Sequence, residues 1–288
     1  MKNLNSFSIK NKLNIYEDKV YRSYKCFFII KNDLVMFNEN KFIITSKSLK
    51  NFNVKDENTY YLAEKKNICF IGFSITKRQL KKIFKTEKFS LISLRDSISL
   101  EHKLLAPYLS ALYSLNIWKN NNKYCSKCGV KTSFSSKENS LTCKNLICKM
   151  KIYPRLDPTV IILIRHKDKI LLARNKNWKQ NLYSCIAGFC EFNESLENTV
   201  LRETYEEVGL RINKIKYLFS QFWPFSNNLM IGFQAHTNST KLKINEYEIE
   251  DAIWVTKNEL KELSQQKKII LPRKYAIAYS LINYWITS

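Results

Sequence analysis

Long apolar runs are missing from this 288-residue sequence. A run such as Val160 to Ile164 stops at Arg165, far short of the roughly 20 residues that a membrane-spanning helix needs. From Met1 to Val20, Lys and Asn alternate with single apolar residues and leave no continuous apolar core for a secretion machinery to read. We therefore expect no signal peptide, no membrane partner and a cytoplasmic location. Acidic residues are scarce too: 25 Asp and Glu stand against 48 Lys and Arg, a formal net charge of +23. Such a surface attracts phosphate-bearing partners, RNA among them, and speeds their association at low salt. It is equally the surface of a Lys-, Asn- and Ile-heavy composition whose lysines are only solvated. Internal repeats and long low-complexity tracts are not evident. What is present, 45% hydrophobic and 25% charged residues, is the composition of a folded chain and excludes disorder.

The length suits two compact domains with a small staple between them. Short β-rich runs, Cys26 to Ile30, Phe42 to Thr45 and Ile68 to Ile71, are broken by Asn and Lys clusters that suit turns. Asp96 or Ser97 could cap one helix running through Leu100, Leu104, Leu105, Leu109, Leu112 and Leu115, kinked at Pro107 and ending near Trp118. The polar stretch Lys119 to Lys123 then reads as a boundary. We expect a β-rich N-terminal domain over 1–120 ending in that helix, a ribbon over 121–154, and a third segment, 155–288, that carries the chemistry.

A reducing compartment makes close cysteine pairs metal ligands before disulfides. Cys125-Ser-Lys-Cys128 followed by Gly129 has the form of a zinc knuckle, with glycine permitting the tight turn beneath. Cys143 and Cys148 supply the other two thiolates, across a gap of four residues rather than two. Four thiolates close the tetrahedron and leave no position for substrate, so this Zn²⁺ would be structural. Cys26, Cys69, Cys185 and Cys190 lack such partners and read as small buried hydrophobes.

The chemistry lies between Gly188 and Leu210, on a helix from about Glu197 to Val208. There Glu203, Glu206 and Glu207 stand at i, i+3 and i+4 and share one face within a turn. Leu196, Val200, Leu201, Thr204 and Val208 form an adjacent stripe that can bury against a sheet, and Gly209 ends the helix. Three crowded carboxylates repel unless cations neutralise them, and hard oxygen ligands in that number suit Mg²⁺ or Mn²⁺. Such ions bridge phosphate oxygens and polarise an attacking water. Arg202 would brace a glutamate, while Gly188 lets a loop approach the helix closely. A solvent-exposed acidic helix face is the bland alternative.

These residues resemble the Nudix box: Gly188, five residues, Glu194, seven residues, Arg202-Glu203, a packing position, one residue, Glu206-Glu207, one residue, Gly209 and an aliphatic residue. Thr204 departs from it, standing where an aliphatic residue is usual. Three further features resemble the NADH pyrophosphatase and NAD-capped RNA hydrolase branch of that superfamily. They are the preceding four-cysteine ribbon leading through Tyr153-Pro154, the stretch Ser220 to Phe225 downstream of the box, and Leu271-Pro272 followed by Ala276 to Ile282. Phe222, Ser226 and Asn228 depart from the second pattern.

The resemblance implies an α+β chain: a Nudix α/β/α sandwich with a mixed sheet over 155–288, preceded by the zinc ribbon and the β-rich domain. It implies a homodimer that hydrolyses the pyrophosphate of NADH or NAD⁺ to nicotinamide mononucleotide and AMP, and that removes NAD caps from RNA 5′ ends. Glu203, Glu206, Glu207 and Arg202 would be catalytic, with Glu207 as general base, and Glu248 would join the three glutamates around the Mg²⁺ or Mn²⁺ ions. Phe189 would stack on a base, and Tyr153, Gln221, Trp223, Glu248 and Ala278 would line the substrate pocket. Core packing is the alternative for Phe189, Trp223 and Phe225. A reading of another class is a zinc-ribbon nucleic-acid-binding protein with an inactive Nudix domain; the intact glutamates argue against it.

Overall fold

A computed structural model describes residues 23–37, 41–45, 58–65, 68–85, 88–101, 104–136 and 138–288. The stretch Met1 to Val20 lies outside them. Two compact units divide the chain, Asn3–Arg155 and Leu156–Ser288.

In the first unit the strands are β1 (Ser23–Ile30), β2 (Asp33–Phe37), β3 (Ile44–Thr45), β4 (Thr59–Lys65), β5 (Ile68–Ser74) and, after helix α1 (Lys77–Ile83), β6 (Phe89–Ile92). They form one sheet in the order β4-β5-β1-β2-β6, with β3 pairing β1 and with β1 parallel to β5. Cys26, Phe28, Ile30, Val35, Phe37, Ile71 and Phe73 bury one face beneath α1, whose Leu80 is fully enclosed. The single kinked helix expected after residue 96 is instead two helices, α2 (Leu94–Glu101) and α3 (Ala106–Asn121). Pro107 sits in the first turn of α3, where a missing N–H costs nothing, so it starts a helix rather than bending one. Leu100 and Leu104 are accordingly exposed, while Leu109 and Leu112 are buried.

The ribbon belongs to the same unit. Its strands β7 (Thr132–Ser135), β8 (Ser140–Cys143) and β9 (Lys151–Ile152) form a three-stranded antiparallel sheet. It is anchored on the larger sheet by Asn139, whose Nδ2 donates to the Tyr61 carbonyl at 3.1 Å, and by packing of Phe134 on Tyr60 at 5.3 Å between centroids.

The second unit is a mixed sheet between helices. Its strands are β10 (Asp157–His166), β11 (Lys169–Asn175), β12 (Ile186–Phe189), β13 (Ile212–Trp223), β14 (Asn228–Thr237) and β15 (Ile249–Val255). The order is β13-β14-β10-β11-β15 with β12 on β10, and β10 runs parallel to β14. Both faces are covered, so β10 reads as an unbroken apolar run. Val160, Ile162 and Ile164 pack with Val200 and Val208 of α4 (Leu196–Val208). Ile161 and Leu163 pack with Leu260 of α5 (Lys257–Gln265) and with Leu281, Ile282 and Trp285 of α6 (Ile277–Thr287). Among the described residues no helix is long and apolar enough to cross a membrane.

Candidate active site

Helix α4 is placed by both of its ends. The Ser195 hydroxyl accepts from the Asn198 amide at 3.2 Å, and Gly209 closes the helix in the left-handed region at φ 70°. A Cβ at Gly209 would come within 2.7 Å of Lys243, because the loop beyond β14 folds back onto this helix end. Lys243 N–H donates to the Val208 carbonyl at 3.0 Å and Asn245 N–H to that of Glu207 at 2.9 Å. Those bonds satisfy last-turn carbonyls and bring Glu248 toward the carboxylate face.

The stripe beneath the helix differs by one residue from its periodicity. Val200, Thr204 and Val208 are buried as expected, but Leu201 is exposed and Thr199 is enclosed in its place. Thr199 earns its burial by donating its hydroxyl to Glu194 Oε2 at 3.0 Å. Thr204, the departure from the box, donates its hydroxyl to the Val200 carbonyl at 2.8 Å and so leaves no polar atom unsatisfied.

Arg202 is the hub of the charges. Its Nε donates to Glu194 Oε1 at 2.6 Å and its Nη2 to Glu194 Oε2 at 2.9 Å, a bidentate pair. Its Nη1 reaches Glu203 Oε1 and Glu206 Oε2, both at 2.9 Å, and Nη2 also donates to the Phe189 carbonyl at 2.8 Å. Glu194 lies well below the usual carboxylate range, at about 2, chiefly because of its bonds to Arg202 and the Glu191 amide. Sequence reasoning gave Glu194 no role; as a charged position of the box it was there to be found. Gly188 of β12 lies directly under Glu203, and a Cβ there would overlap the Glu203 carboxyl.

The other two acids are strained electrostatically. Glu207 is 6% exposed, and burial pushes its carboxyl up to about 8, reinforced by the charges of Glu203, Glu248 and Glu206. Glu203 is raised as well, first by burial, against the opposing pull of Arg202. The structure thus brings Glu203, Glu206, Glu207 and Glu248 into one field of mutual repulsion. Such crowding leaves the carboxylates short of positive charge from the chain itself, an arrangement that hard cations could relieve.

Phe189, expected to stack on a base, and Gln221, expected to line the pocket, share the opposite face. Register places Phe189, Thr159, Met230 and Gln221 in one line across β12, β10, β14 and β13. Their neighbours Ala187, Ile161 and Phe219 pack on the α6 side, which fixes the face of the row. Phe189 is 55% exposed there at the sheet edge. Gln221 donates its Nε2 to the Tyr275 carbonyl at 2.6 Å, while its buried Oε1 has no partner among the described residues. Trp223 contacts Phe225 at 4.9 Å and Tyr275 at 5.9 Å, so Tyr275 joins a cluster that sequence reasoning left without it. Ala278 is buried on α6, and Tyr153 belongs to the first unit, where it is half exposed.

The cysteine cluster is a second, separate arrangement. Cys125, Cys128, Cys143 and Cys148 have all four sulfurs within 4.8 Å of one another, the one such group of metal-ligand side chains among the described residues. The Cys125–Cys148 and Cys128–Cys143 sulfur pairs lie at 3.8 and 3.4 Å, close to the roughly 3.8 Å edge of a tetrahedron with Zn–S bonds of about 2.3 Å. Gly129 turns the first knuckle at φ 71°. The longer second gap is taken up by Asn145, whose Oδ1 accepts from the amides of Ile147 and Cys148 at 2.9 and 3.3 Å. Cys26, Cys69 and Cys185 are buried as expected, whereas Cys190 is half buried, its thiol directed at the Glu191 and Glu194 carbonyls.

Comparison with known proteins gives the domain its family. The chain is 39% identical over 155 residues to the NAD-capped RNA hydrolase NudC of Pseudomonas aeruginosa, covering 54% of this chain and 55% of that protein. Over 184 residues it is 35% identical to the NAD-capped RNA hydrolase NUDT12 of Homo sapiens, covering 60% and 40%. Over 211 residues it is 34% identical to the mitochondrial NAD(P)H pyrophosphatase NUDT13 of Mus musculus, covering 68% and 59%. The chain spans about half the length of the curated relatives it matches. A solved NUDIX hydrolase from Nitrosomonas europaea is similar at 18% identity and a TM-score of 0.46, covering 57% of this chain and 90% of that one. Residues 155–274 match the NUDIX domain, so this stretch of the chain carries a Nudix domain.

Proposed function

We propose that this chain is a divalent-metal-dependent hydrolase that cuts the pyrophosphate bond of NADH or NAD⁺, and the same bond where it caps the 5′ end of an RNA. The observation that carries the reading is the crowding of Glu203, Glu206, Glu207 and Glu248, with Glu207 buried and its carboxyl pushed up to about 8. Its support among relatives is that NudC and NUDT12 are named for NAD-capped RNA and NUDT13 for NAD(P)H.

The four carboxylates fit Mg²⁺ or Mn²⁺, whose bound form supplies Lewis-acid polarisation of the phosphates and of water. The chain's own residues do the rest. Water attacks one phosphorus of the pyrophosphate, its proton passes to Glu207, and the bond to the bridging oxygen breaks, leaving nicotinamide mononucleotide with AMP from the free dinucleotide or with a 5′-monophosphate RNA from a capped one. Arg202 keeps Glu203 and Glu206 in register with β12 through the Phe189 carbonyl. Phe189 offers an exposed ring for the base, with Trp223 and Ala278 lining the pocket, while the unpaired Gln221 Oε1 is an acceptor for a substrate N–H or hydroxyl. In the ribbon the thiol groups of Cys125, Cys128, Cys143 and Cys148, all within 4.8 Å of one another, would hold a structural Zn²⁺. We take the enzyme to be cytoplasmic and to work as a homodimer.

Single-turnover hydrolysis of NADH and of NAD-capped RNA, with Mg²⁺ or Mn²⁺, tests the reading in wild type and Glu207→Gln. Cleavage by wild type and its loss in the variant are expected. Cleavage of neither substrate by wild type would return the chain to the binding-protein reading.

A further inference from the structure

The charge is divided very unequally. Residues 155–288 contain 19 basic and 14 acidic side chains, a net +5, so of the total of +23 the first 154 residues carry +18. Composition drift alone would spread lysine over both. Within the ribbon, residues 121–154, there are seven lysines and one acid, Glu138. That acid is already held by Lys151 Nζ at 3.0 Å.

Register gathers part of this charge in a row. Tyr124 pairs with Lys131 in an antiparallel bridge. Lys131 in turn stands opposite Lys144, one step beyond the Thr132–Cys143 pair, with the Lys144 amide donating to the Lys131 carbonyl at 3.0 Å. Residues directly opposite on neighbouring strands point to one side, their Cβ atoms about 5 Å apart. All three side chains are exposed, Tyr124 at 59%. Two like charges set directly opposite each other cost stability. No acid of the ribbon relieves this pair. Beside Lys144 the second knuckle holds Leu146 and Ile147 out in solvent, on a loop stiffened by Asn145. An aromatic face in line with two unneutralised ammonium groups, on a ribbon whose four cysteine sulfurs lie within 4.8 Å of one another, is the combination that takes a stacked base and the phosphates next to it.

We propose that the row Tyr124, Lys131 and Lys144 is a single-stranded RNA-binding surface that grips the body of a capped transcript. The capped-transcript clause rests on the hydrolase reading above; the RNA surface does not. Free dinucleotide has no body to grip, so this surface separates the two substrates of one active site.

The test uses the full zinc-loaded chain, with zinc content measured for each variant. Fluorescence anisotropy of a 5′-labelled, uncapped single-stranded RNA is read for wild type, Tyr124→Ala, Tyr124→Phe and the double variant Lys131→Ala/Lys144→Ala, alongside NADH and NAD-capped RNA turnover. Tyr124→Ala should weaken RNA binding about tenfold or more, and Tyr124→Phe should restore it, since stacking needs the ring and not the hydroxyl. The double variant should lower the slope of log affinity against log salt by about 1.4, from roughly 0.7 per phosphate contact on a single strand. NADH turnover should stay at the wild-type rate throughout, while KM for capped RNA rises. RNA binding unchanged in both Tyr124→Ala and the double variant overturns the proposal, as does a parallel fall in NADH turnover at wild-type zinc content. RNA binding that tracks the row while wild type cleaves neither substrate supports the surface and overturns the hydrolase reading instead.

Discussion

The two clusters of like side chains in this chain, four thiols in the ribbon and four carboxylates around α4, are built on opposite principles. In the ribbon, four thiol sulfurs already stand within 4.8 Å of one another, held by a glycine turn and an asparagine turn in the backbone. On α4, the carboxylates are brought together against their mutual repulsion, and only Arg202 offsets them from within the helix. A closed set of thiolates is a staple whose ion contributes folding free energy. A crowded set of carboxylates weakens the fold that carries it, and its repulsion is what gives a cation and its pyrophosphate reason to bind. On the proposed reading the ribbon's ligands serve stability, whereas the Nudix helix gives up stability for function.

The sharpest way to break that contrast is to remove one ligand from each. Cys128→Ser should abolish stoichiometric zinc and unfold the ribbon locally, since structural zinc in small fingers contributes on the order of 10–16 kcal/mol. Limited proteolysis across 121–154 together with zinc analysis measures it; a variant that keeps a protected ribbon without zinc would show that the cluster is not a staple. Glu207→Gln should instead leave the Nudix unit folded and lower kcat about 10²- to 10⁴-fold, the range for loss of a general base. Should the ribbon survive and the Nudix unit unfold, the assignment of the two clusters is reversed.

A smaller effect sharpens the same point through pH. The folded-state carboxyl of Glu207 lies near 8, against 4.5 when unfolded. Below about 4.5 it is protonated in both states and contributes no pH dependence. As pH rises from there to about 8, the unfolded chain ionises first, so stability falls; above 8 the full penalty is present. Without Mg²⁺ or Mn²⁺, hydrogen exchange of the α4 amides should therefore show the wild type losing a few kcal/mol across that window. Glu207→Gln should remove most of the slope and, at pH 8, be the more stable protein. A wild-type profile that is flat, or that rises with pH, would mean the carboxyl is not held in a repulsive, desolvated place.

The fold and the site were legible in the sequence to different degrees, for physical reasons. The box could be read because its members, Gly188 to Leu210, lie within 23 residues on one helix and its entry loop, where i, i+3 and i+4 spacing converts directly into a shared face. The knuckle cysteines were legible for the same reason of short range. Strand β2, strand β4 and helix α1 were not singled out, although Thr76 and Gln79 form a capping box at the start of α1. Hidden more deeply were the contacts that depend on register between distant strands. Tyr275 joins Trp223 because α6 packs across the sheet; Glu248, expected beside the glutamates from the family resemblance alone, is brought there because residues 243–245 hydrogen-bond to the end of α4. The two-helix structure around Pro107 was misread because a proline inside an apolar period looks the same whether it kinks a helix or begins one.

The smallest expected effect concerns Thr204, the one position where the box departs from its family pattern. A buried threonine in a helix interior would ordinarily cost stability through its desolvated hydroxyl, yet here that hydroxyl donates to the Val200 carbonyl at 2.8 Å. The carbonyl does not depend on it, because the Thr204 amide serves the same oxygen as part of the helix ladder. Thr204→Val keeps the shape, removes the hydroxyl and leaves no acceptor orphaned, so it should change stability by less than about 1 kcal/mol and leave kcat untouched. Chemical denaturation and steady-state turnover measure both. A large loss of activity with unchanged stability would mean that the hydroxyl sets the pitch of the helix beneath Glu203 and Glu207, and the carboxylate geometry would then depend on a buried hydrogen bond rather than on Arg202 and Gly188.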